Sequence, residues 1–257
     1  MKIKDIKQIA QRAGEMLSNR VFDVEHKTSL SDRVTSMDIA VEQFLKNELL
    51  SLLPGSGFLG EESDFHEIEN EYVWVVDPID GTTNFVRDLA ASCISIALLK
   101  NGKPYMGVVY NPYKGEMFSA EKGLGAYMND KAILVSDMSF ESSIYFTSLS
   151  PYTKQSAKAC LKIMEEVYSQ ADDIRRFGSA AIELCLLACG RADLYFELYL
   201  QPWDYAAGCL ILQEAGGYAG TVGDEVFKYD KPIPVIAANS KENYDRLKNI
   251  VDKHLLK

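Results

Sequence analysis

Two carboxylates close an apolar run in the stretch Tyr72-Val-Trp-Val-Val-Asp77-Pro-Ile-Asp80-Gly-Thr-Thr-Asn-Phe85. The five residues before Asp77, three of them valine, predict a strand buried on both faces. Such a strand should not end on two acids unless a cation waits there, because an unpaired buried carboxylate is costly. Pro78 and Gly81 predict a tight turn in which the side chains of Asp77 and Asp80 and the carbonyl of Ile79 converge. All three offer oxygen, which hard cations such as Mg²⁺ prefer. The N–H groups of Gly81 and Thr82 follow at an expected helix start, where an anion is welcome. These residue types at this spacing point to a metal ion holding a phosphate.

Two further motifs carry acids in similar settings. Phe58-Leu59-Gly60-Glu61-Glu62-Ser63 reads as a short strand ending in carboxylates. Glu61 is the stronger candidate ligand and Glu62 stands farther out, while Asp64, Glu67, Glu69 and Glu71 are assigned to solvent. Pro202-Trp203-Asp204-Tyr205-Ala206-Ala207-Gly208 opens an apolar helical run. An aspartate there also serves as a helix N-cap, so spacing alone leaves Asp204 two readings. The same holds for Asp38 in Val34-Thr-Ser-Met-Asp38.

With these motifs the chain resembles the inositol monophosphatase family of Mg²⁺-dependent, lithium-sensitive sugar-phosphate phosphatases. The likeness rests on Gly60-Glu61-Glu62, on Asp77 to Phe85 and on Trp203 to Gly208, and it runs from the first helix to the last. It implies an α/β fold of the α+β type, a layered α/β/α/β/α sandwich. One phosphatase domain is implied, with an N-terminal lobe of about 1–138, a C-terminal lobe of about 139–257, and the metal site between them. By resemblance, Glu61, Asp77 and the Ile79 carbonyl hold one Mg²⁺, and Asp77, Asp80 and Asp204 hold a second. A third, weaker ion is implied near Glu61, with Lys27 close by. Glu61, Thr82 and Asp38 are the implied catalytic residues, the last two orienting the attacking water. Gly81 and Thr82 are implied to bind phosphate through N–H groups. Gly178, Ser179 and Ala180 are implied to line the sugar beside Asp204, and Glu197 to accept hydrogen bonds from a vicinal diol. The family also implies a homodimer.

The chain departs from many relatives at Asp88 and Ala90, where a base and a proline are common, which bears on substrate shape. Inositol monophosphate or a related sugar or polyol phosphate is the expected substrate. Histidinol phosphate, fructose 1,6-bisphosphate and 3′-phosphoadenosine 5′-phosphate are alternatives within the family. A metal-binding regulatory module on the same fold is the alternative outside enzymes.

Composition agrees with a folded enzyme. The 257 residues are 47% hydrophobic and 25% charged, ordinary for a globular chain near the upper size of one core. A formal charge of −10 argues against nucleic acid or an anionic membrane as partner. Five cysteines without a C-x-x-C read as reduced core residues of a cytoplasmic protein. The three histidines fall in polar segments and support no triad. The N-terminus reads as an amphipathic helix rather than a signal peptide, and no apolar run approaches the ~20 residues of a membrane span.

The elements that must position these groups come in blocks. Helical spacing predicts helices over about 3–17, 38–53, 151–170, 179–190, 203–215 and 240–256. A polar loop is expected from Glu25 to Arg33 and a linker over about 135–143. Strands are expected at 92–99 and 104–111, joined by an Asn101-Gly102 hairpin, then at 115–121 and 125–129. Further strands are expected near 144–148, 174–177, 192–197, 217–221 and 234–238.

Overall fold

The computed structural model describes residues 1–18, 21–26, 33–63, 69–149, 156–223, 225–229 and 231–256. Helix α1 (Ile3–Met16) buries Ile6, Ile9, Ala10 and Ala13, one stripe at helical spacing. Two short strands flank the stretch expected as a polar loop, β1 (Val24–His26) and β2 (Arg33–Thr35), paired antiparallel, and residues 27–32 between them lie outside the described residues. Three-residue strands are too short to show alternation, which is why pattern reading missed them. Helix α2 (Ser36–Leu52) follows at once and buries Met37, Val41, Leu45 and Leu49 at i,i+4 spacing.

Seven strands then form one sheet in chain order: β3 (Gly57–Gly60), β4 (Tyr72–Asp80), β5 (Cys93–Lys100), β6 (Lys103–Asn111), β7 (Glu116–Glu121), β8 (Ala126–Met128) and β9 (Lys131–Ile133). Only β3 and β4 run parallel. The five-residue helix α3 (Thr82–Val86) lies between β4 and β5. Asn101 and Gly102, at φ 50° and 70°, make the expected β5–β6 hairpin. Strand β9 was not expected. The Asn129-Asp130 turn that creates it has φ 48° and 63°, the same left-handed pair without a glycine to announce it.

A 3₁₀ turn at Phe140–Ser142 leads to the second sheet, with strands β10 (Ile144–Thr147), β11 (Asp173–Arg175), β12 (Leu194–Leu200), β13 (Tyr218–Gly220) and β14 (Ile233–Ala238) in the order β11-β10-β12-β14-β13. Helix α4 (Ala157–Tyr168) begins later than the expected 151, which lies outside the described residues. Helices α5 (Ala180–Ala188), α6 (Pro202–Glu214) and α7 (Lys241–Leu255) fall where expected within a residue or two.

Period-two alternation sorts these elements into layers. Along β4, Trp74 and Val76 pack with α1 and α2, while Val73 and Val75 pack with α5 and α6. Along β12, Leu194 and Phe196 face the cluster of α4 and α7, while Tyr195 faces α5 and α6. The result is helix pair, sheet, helix pair, sheet, helix pair, the expected sandwich. Helix α6 lies tight against both neighbours. A Cβ on Gly107 of β6 would stand 3.0 Å from the Ala207 carbonyl oxygen, and one on Gly208 would stand 2.9 Å from the Leu184 Cβ of α5.

Candidate active site

Alternation already aims Asp77 at the middle layer, on the face of β4 that carries Val73 and Val75. In an unbroken strand Asp80, three residues on, would face the opposite way. It does not, because β4 is bulged: Asp77 pairs with Ser95 but Asp80 pairs with Cys93, so three steps on β4 match two on β5. The expected tight turn at Pro78 is therefore a bulge within the strand, and the turn proper comes at Gly81 (φ 88°). A Cβ there would crowd the carbonyl oxygens of Ala91 and Gly178, both at 3.1 Å.

Asp204 meets these two acids from α6. It is the third residue of that helix rather than its N-cap, which is Gln201. One carboxylate oxygen accepts the Gln201 N–H at 2.7 Å, and Ser95 Oγ anchors the same helix start by donating to the Trp203 carbonyl at 3.0 Å. Ligand oxygens of Asp77, Asp80 and Asp204 lie within 4.8 Å of one another. Glu61 and the residue Ile79 line the same cleft, whose volume is about 530 Å³.

Donors from the protein hold these carboxylates in place. Asp77 Oδ1 accepts the Ile79 N–H at 2.9 Å. Asp80 Oδ2 accepts from Ser179 Oγ and from the Ala181 N–H, each at 2.7 Å. Burial drives the Asp77 carboxyl well above its ordinary range, and the charges of Glu61, Asp80, Asp204 and Asp38 push it further. Asp204 is raised well above its usual value by burial and then by Asp80 and Glu61. Asp80 rises to about 6 through burial, opposed by its bonds from Ser179 and Ala181. An all-oxygen cluster of repelling acids, two of them buried and Asp204 half-buried, fits a hard divalent cation.

Thr82 and Asp38 are brought together. Asp38 is the third residue of α2, again not its N-cap. Its Oδ2 accepts from Thr35 N–H at 2.7 Å and Thr35 Oγ1 at 2.6 Å. Its Oδ1 faces the Thr82 hydroxyl at 3.3 Å, which also lies 3.2 Å from the Ile79 carbonyl oxygen. Gly81, Gly178, Ala180 and Glu197 line the cleft. Ser179 is buried, and its hydroxyl turns to Asp80 rather than to the open space. Lys27 lies outside the described residues.

Glu197 shares a face of β12 with Tyr195, whose hydroxyl donates to Glu197 Oε2 at 3.0 Å. Burial lifts Glu197 to about 7 against hydrogen bonds from Tyr195 and Ser148 and the charge of Arg176. Arg176, Ser148, Tyr199 and Asn84 also line the cleft and were not singled out from sequence. Asn84 Nδ2 donates to the carbonyls of Ala91 and Phe177, both at 2.7 Å. A signal for it existed, since Asn84 directly follows the Gly-Thr-Thr string. Asp88 (φ 57°) and Ala90 (φ 54°) hold left-handed backbone on either side of Leu89, which is 62% exposed at the cleft. The five cysteines carry free thiols, four buried and Cys189 half-buried. No helix among the described residues is long and apolar enough to cross a membrane.

A sequence profile described as the inositol monophosphatase family matches residues 3–256. A Nus factor SuhB of Xylella fastidiosa is 39% identical over 81% of this chain and 78% of its own length. An inositol-1-monophosphatase of Bacillus subtilis is 33% identical over 91% of this chain and 92% of its own. The crystal structure of the extragenic suppressor protein suhB from Bartonella henselae superposes with a TM-score of 0.89 at 34% identity, covering 97% of this chain and 98% of that one.

Proposed function

The chain belongs to the inositol monophosphatase family, and on that footing we propose that it is a Mg²⁺-dependent phosphatase of inositol monophosphate or a related polyol phosphate. The observation that carries this reading is the meeting of Asp77, Asp80 and Asp204 in one cleft with the Thr82–Asp38 pair. Glu61, Asp77 and the Ile79 carbonyl would hold one ion, and Asp77, Asp80 and Asp204 a second; a third would sit near Glu61 and Lys27. When bound, such ions neutralise a phosphate dianion and lower the pKa of an attacking water.

The protein's own groups do the rest. A Thr82 hydroxyl that donates to Asp38 keeps its lone pairs for a water proton, which turns the water's own lone pair towards phosphorus. The N–H groups of Gly81 and Thr82 would bind phosphate oxygens. Glu197 would accept from two neighbouring hydroxyls of the substrate, with Gly178 and Ala180 shaping the wall beside them. Two lobes, about 1–138 and 139–257, would hold the substrate between them. We place the enzyme in the cytoplasm as a lithium-sensitive homodimer.

A phosphate-release screen tests the reading. It covers inositol, other sugar, nucleotide and amino-alcohol phosphates, with and without Mg²⁺. Release that requires Mg²⁺ and favours polyol monophosphates is expected. A preference for 3′-phosphoadenosine 5′-phosphate or histidinol phosphate would overturn the substrate, and no Mg²⁺-dependent release from any compound would overturn the activity.

A further inference from the structure

Glu183 is the one charged residue of α5, whose other eight residues are Ala, Ile, Leu and Cys. It is buried in a layer where an apolar side chain would be cheaper, so its carboxylate needs a reason. Its Oε1 accepts the N–H groups of Phe177 and Gly178, at 2.5 and 3.1 Å. The carbonyls of the same two residues accept from Asn84 Nδ2 of α3, at 2.7 and 3.3 Å. The segment is thus gripped on its N–H side by one helix and on its C=O side by another. Immediately after it, Ser179 Oγ and Ala181 N–H supply the two 2.7 Å bonds to Asp80.

We propose that Glu183 is a positioning residue for the divalent-cation site: by accepting from Phe177 and Gly178 it sets the segment whose Ser179 and Ala181 orient the Asp80 carboxylate. The inference rests on the reading above only in taking Asp80 as a ligand. A carboxylate with two fixed donors on one oxygen presents the other in one direction, so the ion meets a site already arranged.

The test measures Mg²⁺ affinity of the full chain by isothermal titration calorimetry, beside the Mg²⁺ dependence of phosphate release. Glu183→Leu and Glu183→Ala remove the acceptor while suiting a helix. Glu183→Gln keeps one acceptor oxygen. Each is checked by far-UV circular dichroism and a melting curve, and the Ala variant stands in if the Leu variant does not fold. The acceptor-free variants should bind Mg²⁺ roughly 10- to 100-fold more weakly. The Gln variant should bind Mg²⁺ nearly as wild type does. A merely structural role would lower the melting temperature and leave Mg²⁺ affinity alone, which overturns the proposal. A Gln variant as weak as the Leu variant overturns it too. If the affinities follow this pattern but the wild type releases no phosphate, the positioning role survives and the phosphatase reading fails.

Discussion

The hydroxyl of Thr82 lies 3.3 Å from Oδ1 of Asp38, a residue 44 positions earlier on a different helix. Asp38 is fully buried, and its other oxygen is fixed by Thr35 at 2.7 and 2.6 Å. Thr82 is therefore offered a rigid acceptor. Replacing it by valine, which keeps the shape and loses the hydroxyl, should lower kcat by about 10²- to 10⁴-fold. Serine should restore most of the rate. A valine variant turning over as fast as wild type would remove Thr82 from the mechanism.

Asp80→Asn keeps the volume and one acceptor oxygen for Ser179 and Ala181 but removes the negative charge from the ligand. The melting temperature should hold or rise, since a buried charge that repels Asp77 and Asp204 is gone. Activity should fall by more than the roughly 10- to 100-fold that loss of an outer partner costs. Steady-state kinetics beside a thermal melt would read both, and full activity would mean the ligand roles are misassigned.

Glu197→Ala should act on recognition rather than on bond cleavage. A charged acceptor lost from a diol costs roughly 1.5–3 kcal/mol, about 10- to 100-fold in KM for inositol phosphate. A small aryl phosphate has no diol to lose, so its KM should barely move. Equal effects on both would reject the diol contact.

Stability of the metal-free protein should depend on pH in an unusual direction. Asp80 is raised to about 6, Glu197 to about 7 and Glu183 to about 8, so the folded state keeps protons that the unfolded chain releases near pH 4. With more protons bound in the folded state, stability falls as pH rises from about 4 to about 8. Mg²⁺ should reverse the loss where the acids are ionised, adding about 2.7 kcal/mol at a hundred times its Kd. Melting curves with EDTA and with Mg²⁺ across this range would show two lines that diverge upward in pH; parallel lines would rule out the cluster as the Mg²⁺ site.

Most helices, the longer strands and the motif acids could be read because they leave strong local signals, while the order of the layers came with the family resemblance. The valines before Asp77 announce a buried strand, and β-hairpin chemistry at Asn101-Gly102 announces the turn after β5. What escaped depended on non-local pairing. The paired strands β1 and β2, and β9, are three residues each and have no period to detect. Asp38 and Asp204 looked like N-caps because an acid near a helix start is ambiguous. Only the structure shows that Thr35 and Gln201 take that place, which leaves each acid one turn inside with a second oxygen to offer. Glu183 was passed over inside an apolar helix, since its partners Phe177 and Gly178 lie in a loop without pattern.

Gly208→Ala should cost stability without touching the chemistry directly. The added methyl would sit 2.9 Å from Leu184 Cβ, in a helix pair with no room to part. Overpacking of this kind costs about 1–3 kcal/mol, so calorimetry should find Tm lower by about 2–10 °C. An unchanged Tm would mean that α5 and α6 separate more easily than their spacing implies.

The extra residue in β4 has a consequence for how this chain can vary. Because one surplus step turns Asp80 to the same side as Asp77, the distance between them is counted in residues and not in ångströms. Deleting Pro78 would straighten the strand and leave the two acids two steps apart, still on one face, but without the bulge that carries the Ile79 carbonyl. Such a lineage could drift freely in its surface loops, yet one residue added between the acids would turn Asp80 to the far face.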